Sequence, residues 1–159
     1  MIPKTKLTTA KWNTTNTTSG GYKSSYMHNT VLPNIVNTLK TVLGTHVVNR
    51  NVLLSSSTST GSGSSGKSNA YKWTTADATL MSVGQMTGTF ASHNNKYDAG
   101  EANYKLPLFN YEDYWTGSDF WLRGINGSKS VWHILDSGRV GTTYSYSGHI
   151  GARPLIYLR

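Results

Sequence analysis

Only one stretch of this chain repeats its apolar residues at helical spacing. Leu32, Ile35, Val36, Leu39, Val42 and Leu43 form a single stripe, and Gly44 follows where a glycine commonly closes a helix. Pro33 has no N–H to donate, so it has to sit in a first turn, which divides the segment into a short turn over 25–31 and a helix over 32–43. With one helix to offer, the chain must bury its other apolar residues in strands. Residues 120–123, 131–135, 139–146 and 154–158 are short β-type runs separated by turn signals at 124–127, 136–138 and 147–148, a spacing that suits an antiparallel meander. The fold class is therefore α+β: one main helix packed on a twisted antiparallel sheet drawn largely from the last forty residues.

The rest of the chain falls around that frame. Residues 1–19 are polar and Thr-rich, with Trp12 the only large anchor, and read as an extended arm or edge strand; the domain proper spans 20–159. A strand-like run over 45–55 gives way at 55–69 to a tract made almost wholly of Ser, Thr and Gly, the composition of a flexible surface loop. Order resumes over 71–86, with 76–86 a short helix or a strand and turn. An aromatic cluster follows, from Phe109 to Trp121, and Trp121, Trp132 and Tyr157 are expected in the core.

Composition excludes several functions. There is no cysteine, which removes disulfide scaffolds, thiolate zinc sites and thiol nucleophiles. No apolar run approaches the ~18 residues of a membrane span, so the chain reads as soluble, with no membrane insertion. Net charge is +8, yet the basic residues are scattered singly, without the block that marks a nucleic-acid arm. The five histidines lack metal-ligand spacing, and no cofactor is expected. The tract from Gly61 to Ser68 spells a phosphate-loop pattern, but no strand lies directly before it and no helical stripe follows, so it reads as Ser/Gly composition.

Two groups of residues could carry chemistry. Asp98, Glu101, Glu112, Asp113 and Asp119 lie in one stretch, and a pair of them about 5–10 Å apart would suit glycoside hydrolysis. Surface and capping roles fit so few acids better, and no catalytic residue is assigned. The second group is aromatic: Trp115 beside a Thr-Gly-Ser turn, and Tyr144 and Tyr146 alternating on a strand that ends at Ser147-Gly148-His149. Aromatic faces stack on sugar rings while neighbouring hydroxyls and amides bond sugar hydroxyls. The predicted ligand-binding set is Trp115, Arg139, Tyr144, Tyr146 and His149.

Four landmarks carry a family resemblance. Gly20-Gly21-Tyr22-Lys23-Ser24-Ser25-Tyr26-Met27, continuing to Pro33, resembles the "GGW-x-x-S-x-M-R-x-x-x-x-P" opening of a domain-of-unknown-function family, number 6273, frequent in phage tail-associated and gut-bacterial proteins. The stretch from Ala76 to Gln85 is similar to its "D-x-L-x-L-L-S-x-x-E", Phe120-Trp121-Leu122-Arg123 to its "WWLRS", and Gly151-Ala152-Arg153-Pro154-Leu155 to its closing "G-V-R-P". His28, Gln85 and Gly124 stand where that family usually has Arg, Glu and Ser. The C-terminal pattern also resembles the C-type-lectin-like fold of formylglycine-generating enzymes and phage variable receptor-binding domains, without their active cysteines or the calcium-lectin motifs. The resemblance implies structural roles for Trp121, Leu122, Arg123, Arg153 and Pro154.

It also implies a non-enzymatic protein of the phage particle surface, on a tail fibre, baseplate or head appendage. Such a protein would bind a host glycan or anionic cell-wall polymer, contact other virion proteins, and act as a homo-oligomer or in many copies. The alternatives are a structural virion decoration or connector, and a host polysaccharide-degrading enzyme.

Overall fold

The computed structural model describes residues 1–57, 70–88, 105–114 and 117–159. In chain order its elements are β1 (Thr8–Thr9), α1 (Leu32–Leu43), β2 (Arg50–Ser55), β3 (Tyr71–Ala76), β4 (Ala78–Leu80), α2 (Val83–Thr87), β5 (Phe120–Ile125), β6 (Ser130–Ile134), β7 (Val140–Tyr144), β8 (Gly151–Ala152) and β9 (Pro154–Ile156). The fold is mixed α+β, with one principal helix and an antiparallel-rich sheet. The main sheet runs β1-β8-β5-β6-β7, with β5 and β8 parallel and the other neighbours antiparallel. Two smaller sheets pair β2 with β3 and β4 with β9.

The centre of the molecule is β5, all six of whose residues are buried. Side chains alternate across a strand, so a strand covered on both faces sends side chains into two buried layers, and β5 is apolar but for Arg123. On one face Trp121 and Ile125 join Val131, Trp12, Tyr22, Met27, Leu32 and Leu80. On the other, Phe120 and Leu122 join Trp132, Ile134, Met81, Met86 and Phe109. Between Trp121 and Ile125 the pairing to β6 slips by two residues, from Trp121 opposite His133 to Ile125 opposite Val131. An even slip preserves the alternation, and both residues stay on one face.

Residues 1–19, expected as an arm or edge strand, contribute the two-residue edge strand β1 and also enter the core. Trp12 is fully buried and donates its indole N–H to the Leu122 carbonyl at 3.2 Å, while Trp121 donates to the Ala10 carbonyl at 2.7 Å. These two reciprocal bonds tie the N-terminal segment to β5.

Helix α1 has the expected bounds. Its entry is a π-helical turn, Met27–Val31, and Gly44 at φ 54° ends it. The buried stripe is narrower than the periodicity predicts. Leu32 and Val36 are buried, with Ile35, Leu39 and Leu43 partly so, but Val42 is exposed: the Trp12 cluster covers the start of the helix and Val47, Ala78 and Ile156 cover its Val36 face, and neither covers Val42.

The glycines at the "GGY" landmark have a steric reason. Gly20 and Gly21 both take positive φ, 77° and 69°, and a Cβ on Gly21 would lie 2.5 Å from the Ser55 carbonyl oxygen. This close approach lets the Ser55 hydroxyl accept the Tyr22 N–H at 2.9 Å. Ser55, expected to open the Ser/Gly loop, is thus the buried last residue of β2, paired with Tyr71. The rest of that tract, 58–69, with the phosphate-loop pattern, lies outside the described residues. The 76–86 segment resolves into β4 followed by α2. Ser82 and Gln85 form a reciprocal capping box at 2.9 and 3.0 Å, so glutamine serves here as glutamate would. Tyr157, expected in the core, is only half-buried, its hydroxyl 3.0 Å from that of Thr79.

Gly21→Ala combines backbone strain with a clash against main chain. It should cost about 2–4 kcal/mol in urea unfolding. Gly44→Ala, at φ 54° and ψ −130° but with nothing within 4 Å of the added methyl, should cost the strain alone, about 1–3 kcal/mol.

Candidate functional site

At the free end of β7 the chain turns sharply: the Ser147 N–H donates to the Tyr144 carbonyl at 3.0 Å. The strand therefore stops at Tyr144, short of the 146 expected, and Tyr144 and Tyr146 meet across a turn. Ser145, between them, is fully buried. Its hydroxyl lies 3.3 and 3.1 Å from the Thr15 and Thr17 carbonyls, its N–H donates to Lys129, and its carbonyl accepts from Asn13. With the middle residue held inward by four polar contacts, the flanking rings point outward. Tyr144 is 56% and Tyr146 44% exposed, with ring centroids 6.0 Å apart and planes inclined at 31°.

Tyr144 also lines a shallow depression of about 250 Å³ with Ser130, Thr142 and Thr143. Exposed aromatic faces beside hydroxyl side chains are the chemistry of sugar contact. Electrostatics adds a bias. All seven acids fall between Asp77 and Asp136, so the segments that build this turn, 8–17 and 143–150, contain none. Lys11, whose stem lies against Gly148, exposed Lys129, whose carbonyl accepts the Ser145 N–H, and exposed His149 are basic residues beside it. Lys11 went unnoticed in the sequence, because it reaches the turn from more than 130 residues away.

The predicted site is only partly assembled. Tyr144, Tyr146 and His149 occupy one turn and its continuation. Arg139 is exposed but precedes the other end of β7, so five residues at ~3.3 Å each place it about 17 Å from Tyr144 along the strand. Trp115, Asp98 and Glu101 lie outside the described residues. Of the other acids, Asp119 accepts the Asp136 N–H at 2.7 Å, the backbone-capping role expected of scarce carboxylates. Among the described residues no three His, Asp or Glu side chains are grouped to hold a metal, and no helix is long and apolar enough to cross a membrane.

The residues assigned structural roles, Trp121, Leu122, Arg123, Arg153 and Pro154, are all buried. Arg153 is notable for its partners. Its guanidinium lies over the Phe109 and Phe120 rings, at 5.6 and 5.0 Å from their centroids, and donates to the carbonyls of Pro3, at 2.7 Å, and Tyr114. Burial lowers its pKa to about 10, which leaves it charged at neutral pH.

Two histidines are held neutral. Burial first, and Lys23 second, lower His28 to about 4; its ring packs on Tyr22 at 5.1 Å. Burial also lowers His133, which meets the Trp121 ring edge-on, with Asp119 opposing and His149 adding to the shift.

No family model matches the chain, and neither does any curated protein or solved structure.

His28 folds with a pKa below its ordinary 6.5. The unfolded chain therefore binds a proton first as pH falls, and stability declines between about 6.5 and about 4. Discounted for partial exposure, the His28 share is on the order of 2 kcal/mol. Urea unfolding across this range should show the decline, and His28→Phe should keep only the smaller part due to His133.

Proposed function

We propose that this chain is a non-enzymatic surface protein of a phage particle, with a C-type-lectin-like fold, that attaches to the host through the Tyr144–Tyr146 turn. The observation that carries the binding role is the pair of outward rings fixed 6.0 Å apart by a fully buried serine, in segments free of acids. Rings so placed can cover the C–H faces of successive sugars without losing the rotamer freedom that a loose loop would give up. Lys11 and His149 add attraction for an anionic cell-wall polymer. Other virion proteins are the expected partners, and display in several copies raises weak single contacts to useful avidity.

The phage assignment and the lectin-like fold rest on the resemblance. Its support is that the landmarks converge. The Tyr22 hydroxyl of the first accepts the Leu80 N–H of the second at 2.7 Å, the Arg123 N–H of the third donates to Met81 of the second at 3.0 Å, and Arg153 of the fourth stacks on Phe120 of the third. Motifs far apart in sequence that close one core behave as parts of one fold pattern.

A connector role has one observation in its favour. Trp73, 68% exposed on β3, stands on a two-stranded ribbon and suits a neighbouring subunit.

Purified protein should bind host cells, and Tyr144→Ala with Tyr146→Ala should abolish binding while leaving the melting temperature within a few degrees, since both side chains are exposed. Weakening by salt would mark the ligand as a polyanion, and indifference to salt a neutral glycan. Stoichiometric co-purification with another virion protein, without cell binding, would establish the connector instead.

A further inference from the structure

On the opposite side of α1 from solvent-exposed Val42's flank lies a groove of about 350 Å³, bounded by the π-helical turn and α1 on one wall and by Asn49 and the β3–β4 junction on the other. Its volume is at the lower end of the roughly 300–1,000 Å³ of small-molecule sites. The apolar part is small and shallow, formed by Leu32, Pro33, Val36, Ala76 and Ala78. The polar part is dominated by carboxamides.

The hydrogen-bonding capacity left over is specific. Asn37 and Asn49 make no side-chain hydrogen bond within the described residues, so each offers an N–H₂ and a carbonyl. Asn29 spends its amide N–H groups on the Lys23 and Ser25 carbonyls, at 3.0 and 3.1 Å, and keeps its oxygen as an acceptor. Asp77 pairs with Lys40 through Oδ2 at 2.9 Å, leaving Oδ1. The groove thus presents paired donors and acceptors over an aliphatic floor.

The charge balance narrows the ligand class. An anion would meet the Asp77 carboxylate, and the cation beside it, Lys40, is already engaged. A metal ion would find one carboxylate and no cluster of ligands among the described residues. Vicinal hydroxyls, each both donor and acceptor, match carboxamides and a free carboxylate oxygen, and the C–H face of a sugar ring matches Pro33 and the two alanines.

Both walls are fixed in place. The Asp77 main-chain carbonyl accepts the Tyr157 N–H and the Val48 N–H donates to the Tyr157 carbonyl, both at 3.0 Å, so β9's continuation ties the Asn49 wall to the Asp77 wall. A π-helical turn inserts an extra residue into a helical repeat, a geometry frequent at functional sites. Here it brings His28 and Asn29 to the groove above Leu32 and Pro33.

We infer that this groove binds one residue of an uncharged saccharide, through Asn37, Asn49 and Asp77, at a site separate from the tyrosine turn. The inference stands on the groove alone and survives if attachment through the tyrosines fails.

The test is an amide NMR titration of the full chain with N-acetylglucosamine, methyl glucoside and, as the anionic control, glucuronate. The expected result is saturable shifts at Asn37, Asn49 and Thr75 to Asp77 with at least one neutral sugar. Asn37→Ala with Asn49→Ala should weaken the affinity roughly tenfold or more, and Tyr144→Ala with Tyr146→Ala should leave it unchanged. Both asparagines are exposed, so the variant's undisturbed spectrum checks its fold. Shifts confined to the tyrosine turn, a preference for glucuronate, no shift with either neutral sugar, or equal affinity in the asparagine variant would each overturn the inference.

Discussion

A central strand covered on both faces has to be matched by two separate apolar layers, and β5 sets this requirement for the whole chain. One layer is met by Trp12, Tyr22 and the start of α1, the other by α2, Phe109 and the outer face of β6. The chain before β5 is therefore committed to packing around it. This accounts for the indole bonds that run both ways between Trp12, Trp121 and the backbone opposite, since these two tryptophans share the first buried layer and a buried indole N–H is stabilised by an acceptor. Arg153 belongs to the same constraint. It closes the second layer as a flat aliphatic and guanidinium plate between two rings, with backbone carbonyls in place of a carboxylate.

Periodic features were legible in the sequence and contextual ones were not. The α1 bounds followed from a stripe, a proline and a glycine, each a local signal. The strands β5, β6, β7 and β9 were readable because turn residues punctuate them, although their ends drifted by one or two residues, as at Tyr144 and Ile156. Val42 misled because periodicity reports which residues could share a face and not how wide the covering layer is. Ser55 misled because its neighbours are Ser and Thr, while its burial depends on Gly21, 34 positions earlier.

The candidate site was half visible for similar reasons. Tyr144 and Tyr146 were found by their spacing, but the strand alternation assumed for them is in fact a turn, and Arg139 was joined to them by proximity in sequence that the extended strand undoes. The groove left no trace in the sequence at all. Its walls come from 28–37, Asn49 and 75–78, and a π-helical turn has no composition of its own. Asn37 and Asn49 looked like ordinary members of an Asn-rich surface until the fold set them across from one another.

The turn around Ser145 separates two tasks that often share residues. Its anchoring contacts run to backbone carbonyls and amides of 13, 15, 17 and 129, groups present whatever side chains those positions carry. Tyr144 and Tyr146 contribute nothing to that anchoring. Substitution at 144 and 146 can therefore alter the exposed face with little effect on whether the protein folds, and under the proposed attachment role this lets ligand preference drift under selection while the scaffold stays fixed.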